Sequence, residues 1–171
     1  MNMAKGALPV SQFDGEEIMY QRILVPLDGS ELAEKVLPHV EAMAKAFKAE
    51  SVTFVRVLER IHVPRVEGDA VVSSEEWSKI EAAHDLEARK YLDNLKKKIK
   101  WTGIDIRVET LPPADVSDMI TKFANENKME LIVIATHGRS GVSRWLLGSV
   151  AEKILRSSSA PVLTIRVVGK V

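Results

Sequence analysis

The stretch "ELIVIATHGRSGVSRWLLGSVAEKIL" (Glu130–Leu155) passes from an apolar run, through a glycine-bearing crossing, into a helical pattern. "ELIVIAT" (130–136) is apolar almost throughout, as a parallel strand buried on both faces must be. A helix is expected from about Ser149 to Ser157. The crossing has small residues at 135, 138, 141 and 148, hydroxyls at 136, 140, 143 and 149, and cations at Arg139 and Arg144. Bare backbone between a buried strand and a helix start lets an anion approach the helix N–H groups.

The rest of the chain repeats this strand-then-helix alternation. "RILVPL" (22–27) is a short strand closed by the turn "DGS", and Ser30 is placed to cap a helix carrying Leu32, Val36, Leu37, Val40, Ala44 and Phe47. "SVTFVRVL" (51–58) is β-branched and strand-like. Residues 59–72, with Pro64 and Gly68, keep no period and are expected to be a surface loop. Ser73 and Glu76 form a capping box for a long helix to about Lys100, with Trp77, Ile80, His84, Ala88, Tyr91, Leu92, Leu95 and Ile99 on one stripe. Lys96, Lys97, Lys98 and Lys100 fall in its last turns, where they offset the helix dipole. "IDIRVET" (104–110) alternates as a strand does. After Pro112 and Pro113, Val116, Met119, Ile120, Phe123 and Ala124 mark another helix, and "PVLTIRVV" (161–168) is a final strand.

Such alternation predicts a single three-layer α/β domain, an open parallel five-stranded sheet of order 3-2-1-4-5 with helices on both faces, Rossmann-like in kind. Residues 1–18 are expected to be a flexible tail before a domain at 19–171, with Met19 a candidate start. The ligand site belongs beyond the strand ends where strand order reverses, between the first and fourth strands. "PLDGS" and the glycine-bearing crossing are therefore the loops to watch.

Composition narrows the chemistry. The 171 residues carry 24 basic and 24 acidic side chains, so no global field draws the protein to nucleic acid or an anionic membrane. The absence of cysteine excludes disulfides, thiolate zinc sites and cysteine nucleophiles, and fits a reducing compartment. No apolar run reaches membrane-spanning length. Neither G-x-x-x-x-G-K-[ST] nor G-x-G-x-x-G is present, which argues against rapid P-loop hydrolysis. The histidines at 39, 62, 84 and 137 lack metal-ligand spacing, and no catalytic constellation stands out.

Two readings compete at each key position. Ser149 either caps its own helix, in a box with Glu152, or donates its hydroxyl to a phosphate. Asp28 is either a turn aspartate or an acceptor for ribose or an adenine amino group.

The segments "RILVPLDGSELA", "ELIVIATHGRSGVSRWLLGSVAEKIL" and "PVLTIRV" resemble the universal stress protein family over about residues 19–168. The ATP-binding branch carries G-x₂-G-x₉-G-[ST]; here Ala135 stands at the first glycine, followed at matching spacing by Gly138, Gly148 and Ser149. The resemblance implies that Pro26 and Asp28 border adenine and ribose, with Val57 closing the adenine side and Ala135 beside the ribose. It implies that Gly138, Gly148, Ser149 and Val150 hold the phosphates, with Arg139 nearby. It further implies an ATP-binding stress-response regulator with slow or no hydrolysis, Mg²⁺ accompanying the nucleotide, a cytoplasmic location, and a homodimer through about Val162 to Val167. The alternative within the family is a nucleotide-free dimeric interaction module. Ala114-Asp115-Val116 replaces a Gly-x-Pro turn, and is expected to lie away from the phosphates.

Overall fold

The computed structural model describes residues 20–58, 73–138 and 148–168. The expected tail at 1–18 and loop at 59–72 lie outside these residues. Strands β1 (Arg22–Pro26), β2 (Ser51–Val57), β3 (Asp105–Leu111), β4 (Leu131–Gly138) and β5 (Val162–Val168) form one sheet of order β3-β2-β1-β4-β5, every pair parallel. Helices α1 (Glu31–Glu34), α2 (Leu37–Ala46), α3 (Ser74–Lys98), α4 (Val116–Glu126) and α5 (Ser149–Ser157) cover it.

The pleat divides the core in two. Ile23, Val25, Val52, Phe54, Leu131 and Val133 pack with Ala33, Val40, Leu92 and Leu95, which places α1, α2 and α3 on one face. Leu24, Val55, Ile132 and Ile134 pack with Ile120, Ala124, Ala151 and Ile154, placing α4 and α5 on the other. Burial on both faces explains why β1 and β4 read as unbroken apolar runs. β3, at the edge, alternates between exposed and half-buried residues up to Leu111.

Most of the helix signals act as expected. Ser73 and Glu76 make the reciprocal capping box of α3, which holds the Glu76 carboxyl below its usual range, first through the Ser73 backbone N–H and then through its hydroxyl. Lys96, Lys97 and Lys98 close the helix. The expected single helix after Ser30 is instead two. Pro38, in the first turn of α2, has no N–H to donate to the Glu34 carbonyl, so the chain turns at Lys35 and Val36 before starting again.

The two central strands part early. β1 pairs with β4 only at Ile23–Leu131 and Leu24–Ile132, whereas β1–β2 pairing runs on to Pro26–Val55 and β4–β5 pairing to Gly138–Val168. Beyond Leu24 the strands diverge and leave a gap at their C-terminal ends.

Phe54 is fully buried at the centre of the larger cluster and meets Trp101 with ring centroids 6.1 Å apart. Phe54→Ala is expected to lower unfolding stability by about 3–5 kcal/mol in urea denaturation. A loss below about 1 kcal/mol would mean that the surrounding side chains collapse into the space.

Candidate functional site

β1 hands the chain to a tight turn. Leu27 N–H donates to the Val55 carbonyl at 2.9 Å, the last backbone tie before the chain leaves the sheet. The Asp28 carboxylate accepts from Ser30 N–H at 2.8 Å, and the Ser30 hydroxyl accepts from Ala33 N–H at 3.1 Å as the cap of α1. Gly29 between them has φ +90°, a region that L side chains rarely adopt.

Across the gap, α5 begins differently from expectation. Its N-cap is Gly148, with φ −57° and ψ 149°, and no side chain among the described residues caps the helix. Ser149 is already helical, so the Ser149–Glu152 capping box does not form. The Glu152 carboxylate accepts instead from Arg156 at 2.9 Å. Glycine provides the extended cap backbone one residue earlier than the Ser-x-x-Glu pattern suggests. As a result, the first-turn N–H groups, which have no intrahelical partner, receive none from a cap side chain.

These two features face a cavity of about 370 Å³, within the size of ligand pockets at such switch points. Pro26 and Asp28 line it from the β1 end, Val57 from β2 and Ala135 from β4. Gly148, Ser149 and Val150 line it from the start of α5. Gly138 ends β4 opposite Val168. Arg139 lies outside the described residues. Ala135 pairs in strand register with Ile165, and the non-glycine residues described with positive φ are Lys48 and Lys128. Alanine therefore costs no backbone strain there; the change from glycine amounts to one methyl.

Other lining residues carry no motif. Val55, Ile134 and Thr136 come from the sheet, Ala33 from α1, and Arg56 from β2. Val116 and Ile120 come from α4, so the Ala114-Asp115-Val116 turn borders the cavity. The physical reason is the parallel topology, which brings the N-terminus of α4 to the same sheet edge as that of α5. Asp115 fixes the arrangement: it caps α4 through the N–H groups of Ser117 (3.0 Å) and Asp118 (3.2 Å) and accepts from Lys153 of α5 at 2.9 Å. The Ser117 hydroxyl foremost, then Lys153, holds its carboxyl far below the usual aspartate range.

A second, shallower groove lies between α3 and the end of β3 and includes His84. Its carboxylate, Asp85, is taken up by the Thr110 hydroxyl at 3.0 Å and Arg89 at 2.7 Å. His39 is exposed on α2. Among the described residues no group of three or more His, Asp or Glu side chains could hold a metal, and no helix is long and apolar enough to cross a membrane.

An open parallel sheet of order 3-2-1-4-5 with a cavity at its switch point defines a class of Rossmann-like α/β domain. Within that class the chain belongs to the universal stress protein family, whose model matches residues 19–166. It is 32% identical over 152 residues to the universal stress protein MJ0531 of Methanocaldococcus jannaschii, covering 88% of this chain and 84% of that one. The solved structure of MJ0577 from the same organism superposes with TM-score 0.67 at 29% identity, covering 87% of this chain and 97% of that one. A universal stress protein family member of Arabidopsis thaliana, solved with AMP bound, shares the fold at 14% identity and TM-score 0.56, covering 85% and 91%.

The Asp115 link has a pH signature. A carboxyl whose pKa is depressed on folding contributes stability above its unfolded value, and loses it as pH falls through the folded one. D115N keeps a capping side chain but removes the charge that Lys153 pairs with. Wild type is expected to exceed D115N in urea midpoint near pH 7, and the difference to shrink progressively below the ordinary aspartate value of 3.8. A difference independent of pH would show that the charge plays no part.

Proposed function

We propose that the chain binds an adenine nucleotide, ATP above all, where β1 and β4 part, and acts as a stress-response regulator with slow or no hydrolysis. The observation that carries the reading is the pairing, in one cavity, of a carboxylate turn at Asp28 with a helix start that no side chain caps. Between them Val55, Val57, Ile120 and Ile134 offer an apolar slot of the kind a purine ring fills. Pro26 and Val57 border the base, Asp28 accepts from a ribose hydroxyl, and Ala135 packs beside the sugar. The N–H groups at the start of α5, the Ser149 hydroxyl, Gly148 and Val150 hold phosphate, with the dipole of a nine-residue helix behind them. Gly138 and Arg139 flank the phosphate chain in the sequence motif. Mg²⁺ comes with the nucleotide, since no described side-chain cluster stands ready to hold it. The AMP bound to the Arabidopsis relative is consistent with this choice of ligand class.

We place the protein in the cytoplasm, in keeping with its lack of cysteine. Dimerisation is assigned to β5. It is an edge strand whose Leu163, Thr164 and Ile165 are half-buried, and an unpaired edge is a liability that a second copy relieves. A nucleotide-free interaction module is the second reading, and the Ala135 methyl on the cavity wall is the observation in its favour.

Three measurements test these readings. Protein purified without added nucleotide and precipitated with acid is expected to release ATP into the supernatant, identified by ion-exchange chromatography. Titration with MgATP then compares wild type with Gly148→Val. A Cβ at Gly148 meets no atom of the described residues within 4 Å and its φ is ordinary, so the variant is expected to fold normally. Its isopropyl group occupies the phosphate approach, and affinity is expected to fall at least about tenfold. Unchanged affinity, or a wild type silent to millimolar MgATP, would favour the interaction module. Light scattering is expected to give twice the 19.0 kDa chain mass; a monomer would remove the β5 dimer.

A further inference from the structure

We infer that Arg56 is a positioning residue for the Asp28 turn, and that through it the site discriminates ribose from deoxyribose. The inference rests on the nucleotide reading above.

The geometry is that of a clamp. Arg56 leaves β2 one residue after the Val55 carbonyl, which takes the last backbone tie from the turn. Its guanidinium then extends to the turn itself. A Cβ built on Gly29 would lie 2.9 Å from Nη1, 3.0 Å from Cζ and 3.3 Å from Nη2, so the planar head rests against the bare glycine backbone. The same head sits 5.4 Å from the centroid of the Tyr91 ring on α3, a cation–π distance. Gly29 is thus constrained twice, by its φ of +90° and by the absence of room for a side chain.

What the clamp holds is Asp28. The neighbouring Gly29 is pinned to β2 and α3, and the Asp28 carboxylate is already oriented by Ser30 N–H at 2.8 Å. An acceptor fixed in this way meets a sugar hydroxyl without first being ordered. Lysine cannot replace the guanidinium, because an ammonium is round, strongly hydrated and unable to lie flat against glycine and a ring. The surroundings of the clamp are polar as well. Burial, and then the Glu34 carboxylate, push the Tyr91 hydroxyl above the usual phenol range.

Arg56 also lines the cavity, so direct contact with the ligand is the rival explanation, and the two differ in what they predict. Direct contact affects every adenine nucleotide alike. Positioning of Asp28 affects only a nucleotide with the hydroxyl that Asp28 accepts from. The experiment is calorimetric titration of the full chain with MgATP and with Mg-2′-deoxyATP, for wild type, R56K, R56M and D28N, with circular dichroism melts to show folding. Wild type is expected to prefer ATP by on the order of tenfold, as one hydrogen bond to a charged acceptor implies. In R56K and R56M the preference is expected to fall below about twofold, as in D28N, with the loss confined to ATP. R56K, the milder change, decides the matter if R56M does not fold. Equal weakening of both nucleotides, or an intact preference in R56K, would overturn the inference. A wild type that binds both nucleotides equally would overturn it and leave the nucleotide reading standing. A wild type that binds neither would overturn both.

Discussion

The structure depends on two parallel strands, β1 and β4, that are buried on both faces and paired over only two residues each. A strand covered on both sides needs a helical layer above and below, so every connection must be a crossover through one of those layers. From β1 the chain works outward to β2 and β3, and from β4 outward to β5. The connections leaving β1 and β4 therefore turn to opposite faces, α1 and α2 on one and α5 on the other. Nothing of the sheet itself fills the space between them. The cavity follows from this reversal.

What lines the cavity follows from the same constraint. Parallel strands end on one edge and the helices that follow them begin near it, so turns and helix N-termini far apart in sequence are brought together there. Asp28 from a turn, and Val57, Val116, Ala135 and Ser149 from four different elements, share one wall-to-wall space. Two cross-links keep it in shape. Asp115 and Lys153 hold α4 to α5 on one side, and Arg56 holds the Asp28 turn to β2 and α3 on the other. Both cross-links are polar and sit near the rim. The apolar body of the domain, with Phe54, Ile23 and Ile132 fully buried, supplies the stability on which they rest.

Local signals are legible to different depths. Ser73-x-x-Glu76 and Ser149-x-x-Glu152 are the same pattern, yet only the first forms a capping box. The second fails because Gly148, directly before the serine, takes the cap position and leaves Ser149 inside the helix. Pro38 ends a helix that apolar spacing alone would continue, a signal present in the sequence but overridden there by the regular recurrence of Val36, Leu37 and Val40. Arg56 occupies one position in an apolar strand, and its partners, Gly29 and Tyr91, lie 27 and 35 residues away by the numbering. No periodicity or motif links them.

By itself the sequence determined the order of elements and the parallel character of the sheet, because burial on both faces and alternating periodicity are local properties of each segment. The motif spacing from Ala135 to Ser149 likewise marked one side of the candidate site. Only the tertiary structure decided that α4 contributes Val116 and Ile120 to that site, that Gly148 and not Ser149 caps α5, and that Arg56 rests against Gly29. Each of these is a contact between segments distant along the chain, set by crossover geometry and side-chain volume that no short window of sequence contains.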